Sequence, residues 1–154
     1  MKVALAADHA GFELKDLLSM ALEKRGHEVI DLGTHDRKPV DYSDFAEAVG
    51  QALRQKRAER GVLICGSGVG VSVAANKIPG VRAALCQDYY SAHQGVEHDD
   101  MNVICLGARI VGPELALELS LAFVSARFNG EERHRRRLEK VIELERKYSK
   151  EEMT

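Results

Sequence analysis

The run Val62-Leu63-Ile64-Cys65-Gly66-Ser67-Gly68-Val69-Gly70 carries an apolar, strand-like segment to a thiol and then directly onto a glycine loop. A cysteine at the carboxyl end of a parallel strand can serve as nucleophile or base once it is a thiolate, and the partial positive charge of a following helix favours that form. The glycines let backbone amides approach a ligand closely, which suits an oxyanion such as a phosphate or an enolate. Packing is the competing reading, since cysteine is often a small buried hydrophobe and a tight turn can simply let the next helix pack. Cys86 and Cys105, inside apolar strands, take that structural reading.

Other polar groups sit where the chemistry of an open α/β sheet gathers, at the carboxyl ends of strands. Asp8-His9 follows the first strand, Asp88 the fourth and Arg109 the fifth. The spacing Gly66-x-Gly68-x-Gly70 differs from the dinucleotide fingerprint, although Asp88, about twenty residues on, imitates its ribose-binding acid and keeps a nucleotide reading open as the weaker alternative. Glu97-His98-Asp99-Asp100 precedes the last strand and offers a histidine for proton transfer near neutral pH. His27, His35 and His93 are read as structural or solvated. Asp8-His9 and His98-Asp99-Asp100 have the side-chain types of a metal site but no helical His-x-x-x-His pair, so no metal is expected and metal hydrolysis stands only as a rival.

Arg133, Arg136 and Arg137 share a helix face at spacings of three and four, with His134 and Arg135 alongside. Glu131, Glu132, Glu139 and Glu143 partly neutralise them and no aromatic residues interleave, which argues against RNA binding. Two arginines one turn apart could instead clamp a phosphate, provided the helix reaches the strand ends.

The elements that must position these residues follow from periodicity. Lys2 to Ala7, Glu28 to Leu32, Gly61 to Cys65, Arg82 to Cys86 and Val103 to Gly107 read as strands buried on both faces. Leu14, Leu17, Leu18, Ala21 and Leu22 form one helical stripe, and Phe45, Val49, Ala52 and Leu53 a second. A third, Leu115, Leu119, Ala122, Phe123 and Ala126, starts at Gly112-Pro113, and a charged helix runs from about Glu131 to Tyr148. This alternation predicts an α/β fold, a Rossmann-like three-layer sandwich around a five-stranded parallel sheet. Residues 1–148 are expected to form a single domain and 149–154 a frayed tail. The loop from Gly33 to Tyr42 follows a strand end and could overhang a ligand.

Composition sets the outer limits. The 154 residues suffice for a core without disulfides, and a net charge of -2 gives no global attraction to nucleic acid or an anionic membrane. No apolar stretch is long enough to span a bilayer, and Met1 leads directly into an apolar strand rather than a signal peptide, so a cytoplasmic location with three reduced thiols is expected.

Taken together these residues closely resemble the ribose-5-phosphate isomerase type B family, shared with the subunits of bacterial galactose-6-phosphate isomerase. The resemblance rests on Ala7-Asp8-His9-Ala10-Gly11, Asp41-Tyr42, Ile64 through Gly70, Ala74-Ala75-Asn76-Lys77, Glu97 through Val103, Gly107-Ala108-Arg109 and Arg133 through Arg137, in one order over nearly the whole chain. It implies reversible aldose-ketose isomerisation of ribose 5-phosphate to ribulose 5-phosphate through an enediolate, without metal, nucleotide or other cofactor. By position it implies Cys65 as the base between C2 and C1, His98 as the residue that opens the furanose ring, and Asp8 in proton traffic at the sugar oxygens. The amides of Gly66, Ser67, Gly68, Val69 and Gly70 and the Ser67 hydroxyl would stabilise the enediolate. His9, Arg133 and Arg137 match phosphate-binding positions, and Tyr42, Asp99 and Arg109 positions that face substrate.

The family further implies that His98, Asp99 and Arg109 arrive from a second subunit, hence a homodimer or a dimer of dimers. By the same resemblance, retaining Cys65 implies the cysteine-dependent branch, and Ser72 offers no carboxylate substitute. Asp99 departs from the asparagine of many members and replaces a donor amide with an acceptor-only carboxylate. The alternatives are an isomerase of a six-carbon sugar phosphate, allose or galactose 6-phosphate, and a sugar-phosphate-binding module without turnover.

Overall fold

The structure, a computed structural model, describes residues 1–149. Its elements are β1 (Lys2–Ala7), α1 (Phe12–Lys24), β2 (Glu28–Asp31), α2 (Tyr42–Arg54), β3 (Arg60–Cys65), α3 (Val69–Ala75), β4 (Ala83–Leu85), α4 (Tyr89–Asp99), β5 (Val103–Gly107), α5 (Pro113–Ser125) and α6 (Glu132–Ser149). The five strands form one sheet in the order β2-β1-β3-β5-β4, and every pairing is parallel. This is the expected α/β sandwich. Of the tail predicted to fray, Ser149 closes α6 and residues 150–154 lie outside the described residues.

Alternating strand side chains feed two cores. Val3, Leu5, Val62, Ile64, Ile104 and Leu106 meet Leu14, Leu18, Leu22, Val96, Leu119 and Phe123 on one face. Ala4, Ala6, Leu63, Val103 and Cys105 meet Ala46, Val49, Ala52, Val71 and Ala75 on the other. Covering both faces is what the near-continuous apolar runs of β1, β3 and β5 require.

The expectations for β2, β4, α1 and α5 need correction. β2 and β4 are edge strands with half-buried or exposed residues, shorter than predicted, because the strand order leaves each with a neighbour on one side only. Leu17 and Leu115 stand exposed, since α1 seats the narrower line Leu14, Leu18, Leu22 against the sheet and α5 turns Ala116 and Leu119 inward. The polar segment Tyr89–Asp99, not assigned as an element from its periodicity, is helical on only two buried positions, Ala92 and Val96, one turn apart. Its N-cap, Asp88, accepts the Ser91 amide at 2.8 Å, and that hydrogen bond holds its carboxyl below the usual range.

Two polar stretches of the sequence turn out to be joints. Asn76 donates to the Ala83 carbonyl and accepts the Ala83 amide, so a side-chain amide pairs with the backbone of edge strand β4. Asp100 adopts a left-handed φ of 50° and pairs with Arg82 at 2.8 Å, turning the chain from α4 into β5. No helix among the described residues is long and apolar enough to cross a membrane.

Candidate active site

Cys65 ends β3 opposite Gly107 of β5, at the carboxyl edge of the sheet. Its Sγ accepts the Gly68 amide at 3.1 Å, a contact made possible by the left-handed φ of 80° at Gly68. A Cβ at Gly68 would come within 2.9 Å of the Leu106 carbonyl carbon, so only glycine brings this amide back over the sulfur. The other two thiols are different in kind. Burial, assisted by Asp88, pushes the Cys86 thiol up to about 11, and burial raises Cys105 further, so both are held neutral.

The rest of the group converges on the same edge. The Asp8 amide donates to the Ile64 carbonyl, and Asp8 Oδ1 accepts the amides of Ala10 and Gly11 at 2.9 and 3.2 Å. The loop after β2 folds over this turn, and the Val40 amide donates to His9 Nδ1 at 3.1 Å. The Tyr42 ring lies against Gly70, where a Cβ would stand 3.0 Å from it. Within the loop, the Val69 amide donates to Ser67 Oγ at 3.2 Å, which leaves the Ser67 hydroxyl proton to point elsewhere. Two of the five loop amides, those of Gly68 and Val69, are therefore engaged within the loop itself.

Arg109 also belongs to this group. Its amide donates to the Gly66 carbonyl at 3.0 Å and its guanidinium packs against Gly66 of the same chain. The expectation that it arrives from a second subunit is corrected: its own β5 delivers it beside Cys65.

His98, Asp99, Arg133 and Arg137 are elsewhere. α4 leaves β4 at the carboxyl edge and returns to the start of β5, so its last turn lies at the amino edge. The height of β5 alone, about 13 Å, separates the two edges. α6 begins beside that turn, with the His134 ring stacked on His98 at a centroid distance of 4.0 Å. The arginine pair therefore does not reach its own chain's strand ends, which overturns the condition set for a phosphate clamp within one chain. Asp99 lines a cleft of about 610 Å³ under α6, with Arg82, Met101, Leu138 and Val141, and that cleft contains none of the Cys65 group. Among the described residues, no three His, Cys, Asp or Glu side chains are grouped to hold a metal ion.

Residues 3–141 match a family described as Ribose/Galactose Isomerase. The chain belongs to the ribose/galactose isomerase family. This isomerase is 42% identical to ribose-5-phosphate isomerase B of Escherichia coli (strain K12) over 146 residues, covering 95% of this chain and 97% of that one. The solved structure of ribose-5-phosphate isomerase B from Clostridium thermocellum superposes with a TM-score of 0.93 at 46% identity, covering 96% of this chain and 99% of the other. That of Mycoplasma genitalium ribose-5-phosphate isomerase B with bound ribulose-5-phosphate gives 0.89 at 38% identity, covering 94% and 96%.

Two residues outside the sequence motifs also contact His98. Gln94 Nε2 stands 2.8 Å from His98 Nδ1, one helical turn earlier on α4. His134 is only 2% exposed and was noted merely as a neighbour of the arginines. The i, i+4 spacing of Gln94 and His98 was a usable signal; the His98–His134 stack joins segments 36 residues apart in sequence and had none.

Proposed function

We propose that this isomerase interconverts ribose 5-phosphate and ribulose 5-phosphate by proton transfer through an enediolate, without a metal, at sites completed between two copies of the chain. The observation that carries the reading is the Cys65 sulfur at the carboxyl edge, under the Gly68 amide, in a chain belonging to a family of sugar isomerases.

Cys65 as thiolate takes the C2 proton of the open aldose and returns it to C1. The barrier lies in the charge that develops on the two oxygens, and loss of one well-placed donor there costs about a hundredfold in rate. The Ser67 hydroxyl and the loop amides not used internally supply that stabilisation. Asp8, with Oδ1 engaged by Ala10 and Gly11, uses its second oxygen to move the proton between O2 and O1. Arg109 adds positive charge beside the loop.

Ribose 5-phosphate is a cyclic hemiacetal, so its ring must open first, the task assigned to His98. Because one chain holds His98 at the opposite edge from Cys65, a second copy must supply it, along with Asp99, Arg133 and Arg137, which with His9 complete the phosphate and sugar contacts. Exposed Tyr42, Val69, Val73 and Ile110 around the Cys65 group, and Val141, Leu144 and Tyr148 on α6, provide apolar surface for that contact. A homodimer, alone or paired into a tetramer, satisfies this geometry.

The test is incubation with ribose 5-phosphate in D2O with chelator, followed by proton NMR, beside Cys65→Ala. Ribulose 5-phosphate from the wild type alone supports the reading. Turnover of allose or galactose 6-phosphate in its place reassigns the substrate, and binding without exchange or turnover makes the protein a binding module.

A further inference from the structure

We infer that Gln94 and His134 are positioning residues that hold His98 as a neutral imidazole with its proton on Nε2, so that it opens the sugar ring as a hydrogen-bond donor. The inference rests on the ring-opening role given to His98 above and specifies how that role is performed.

The hydrogen bonds fix the tautomers. Gln94 Nε2, 2.8 Å from His98 Nδ1, is an amide nitrogen and can only donate. Nδ1 therefore accepts, and the ring proton sits on Nε2. On the other ring, His134 Nδ1 is 2.8 Å from Asn129 Oδ1, which also accepts the Glu131 amide at 3.1 Å. A carbonyl oxygen only accepts, so His134 Nδ1 carries a proton. Asn129 is tied in turn to α4, its amide donating to the Glu97 carbonyl at 3.0 Å.

The stack completes the constraint. The two imidazoles lie 4.0 Å apart with planes 19° from parallel, so the His98 ring is fixed in plane by His134 and in rotation by Gln94. Two stacked cations at this separation would repel each other. Burial, foremost, holds His134 below the ordinary histidine value, so the stack presents a neutral face to His98.

A neutral donor has a defined job in ring opening. The C1–O4 bond breaks, O1 becomes the carbonyl oxygen, and O4 must gain the proton that O1 loses. His98 Nε2–H stabilises the charge growing on O4 while the Asp8 carboxylate carries the proton from O1 to O4. Neither histidine changes its protonation state over the cycle.

Ribulose 5-phosphate supplies the control, because its phosphorylated O5 cannot close a furanose ring on C2 and it enters the site open. Exchange of its C1 hydrogen with D2O then reads the Cys65 step without ring opening. The experiment compares wild type, Gln94→Met, His134→Ala and His134→Phe, each labelled with 15N-histidine. The expected result is an Nε2–H signature for His98 in the wild type and mixed tautomers in Gln94→Met. Ribose 5-phosphate turnover should fall about tenfold or more in Gln94→Met and His134→Ala, deuterium exchange into ribulose 5-phosphate should stay near wild type, and His134→Phe should restore much of the loss. An Nδ1–H or imidazolium signature in the wild type, or an equal fall of both activities, overturns the inference. A wild type that turns over no ribose 5-phosphate overturns the substrate reading instead, while the tautomer signature still decides how His98 is held.

Discussion

The Lys15 ammonium lies 2.6 Å from Asp31 Oδ2 although the lysine side chain is wholly excluded from solvent. The same carboxylate accepts the Gly33 amide through Oδ1 at 2.9 Å, and Gly33 and Thr34 then exchange backbone hydrogen bonds with Ala7. A buried charge thus anchors the start of the loop whose Val40 amide holds His9.

Breaking this pair should be costly, because removing one partner strands the other. Asp31→Asn is expected to lower stability by about 3 kcal/mol, the lower end for buried pairs, since Asp31 keeps 32% of its side chain in water and Asp16 also contacts Lys15. Lys15→Met, which removes the charge and keeps the stem packed, should cost less. Urea unfolding of both variants checks the order; Lys15→Met as the more damaging change would show that the carboxylates left without the ammonium, not the ammonium left without Asp31, carry the cost.

The proposed sharing of sites between two copies makes a quantitative prediction for mixtures. Cys65→Ala and His98→Asn chains should each be inactive alone. After unfolding and refolding together, half of the dimers are mixed and each mixed dimer rebuilds one intact site, so about a quarter of wild-type activity should return. A site built within one chain would return none.

Gly107 is the neighbour most able to disturb the glycine loop without touching Cys65. A Cβ there would stand 2.5 Å from the Ser67 carbonyl oxygen, pushing the loop away from the sulfur. Gly107→Ala should cost about 1–3 kcal/mol through overpacking and lower kcat by about a hundredfold as donors leave the reacting oxygens. Thermal unfolding and initial rates, measured on the same sample, test both halves.

Two histidines make the fold sensitive to acid. Burial, then the chain N-terminus and Arg127, depresses His27, whose Nδ1 is buried without a partner among the described residues; burial, foremost, depresses His134. A depressed folded value means that the unfolded chain binds more protons, so stability rises with pH. It is complete above the ordinary value of 6.5 and declines as pH falls through it toward the folded values. Urea midpoints should be lower at about pH 5.5 than at about pH 7.5, and His27→Gln should flatten the difference. An unchanged slope would remove His27 as a cause.

The sheet and the Cys65 group were legible in the sequence because both depend on local order. Apolar runs ending in Asp8, Cys65 and Arg109 mark strand ends, and parallel strands bring such ends together whatever the details of packing. The glycine spacing likewise announced a close backbone approach, which Gly68 makes to the sulfur. Tertiary structure alone decided the rest. The strand order made β2 and β4 edges, and the seating of α1 and α5 left Leu17 and Leu115 outside. The return of α4 carried His98 and Asp99 to the far edge, and α6 brought His134 onto His98 instead of carrying Arg133 and Arg137 to the strand ends. The i, i+3 and period-2 patterns record which face of an element is buried, and they are silent about which edge of the sheet a connecting helix returns to and which segment, distant along the chain, packs upon it.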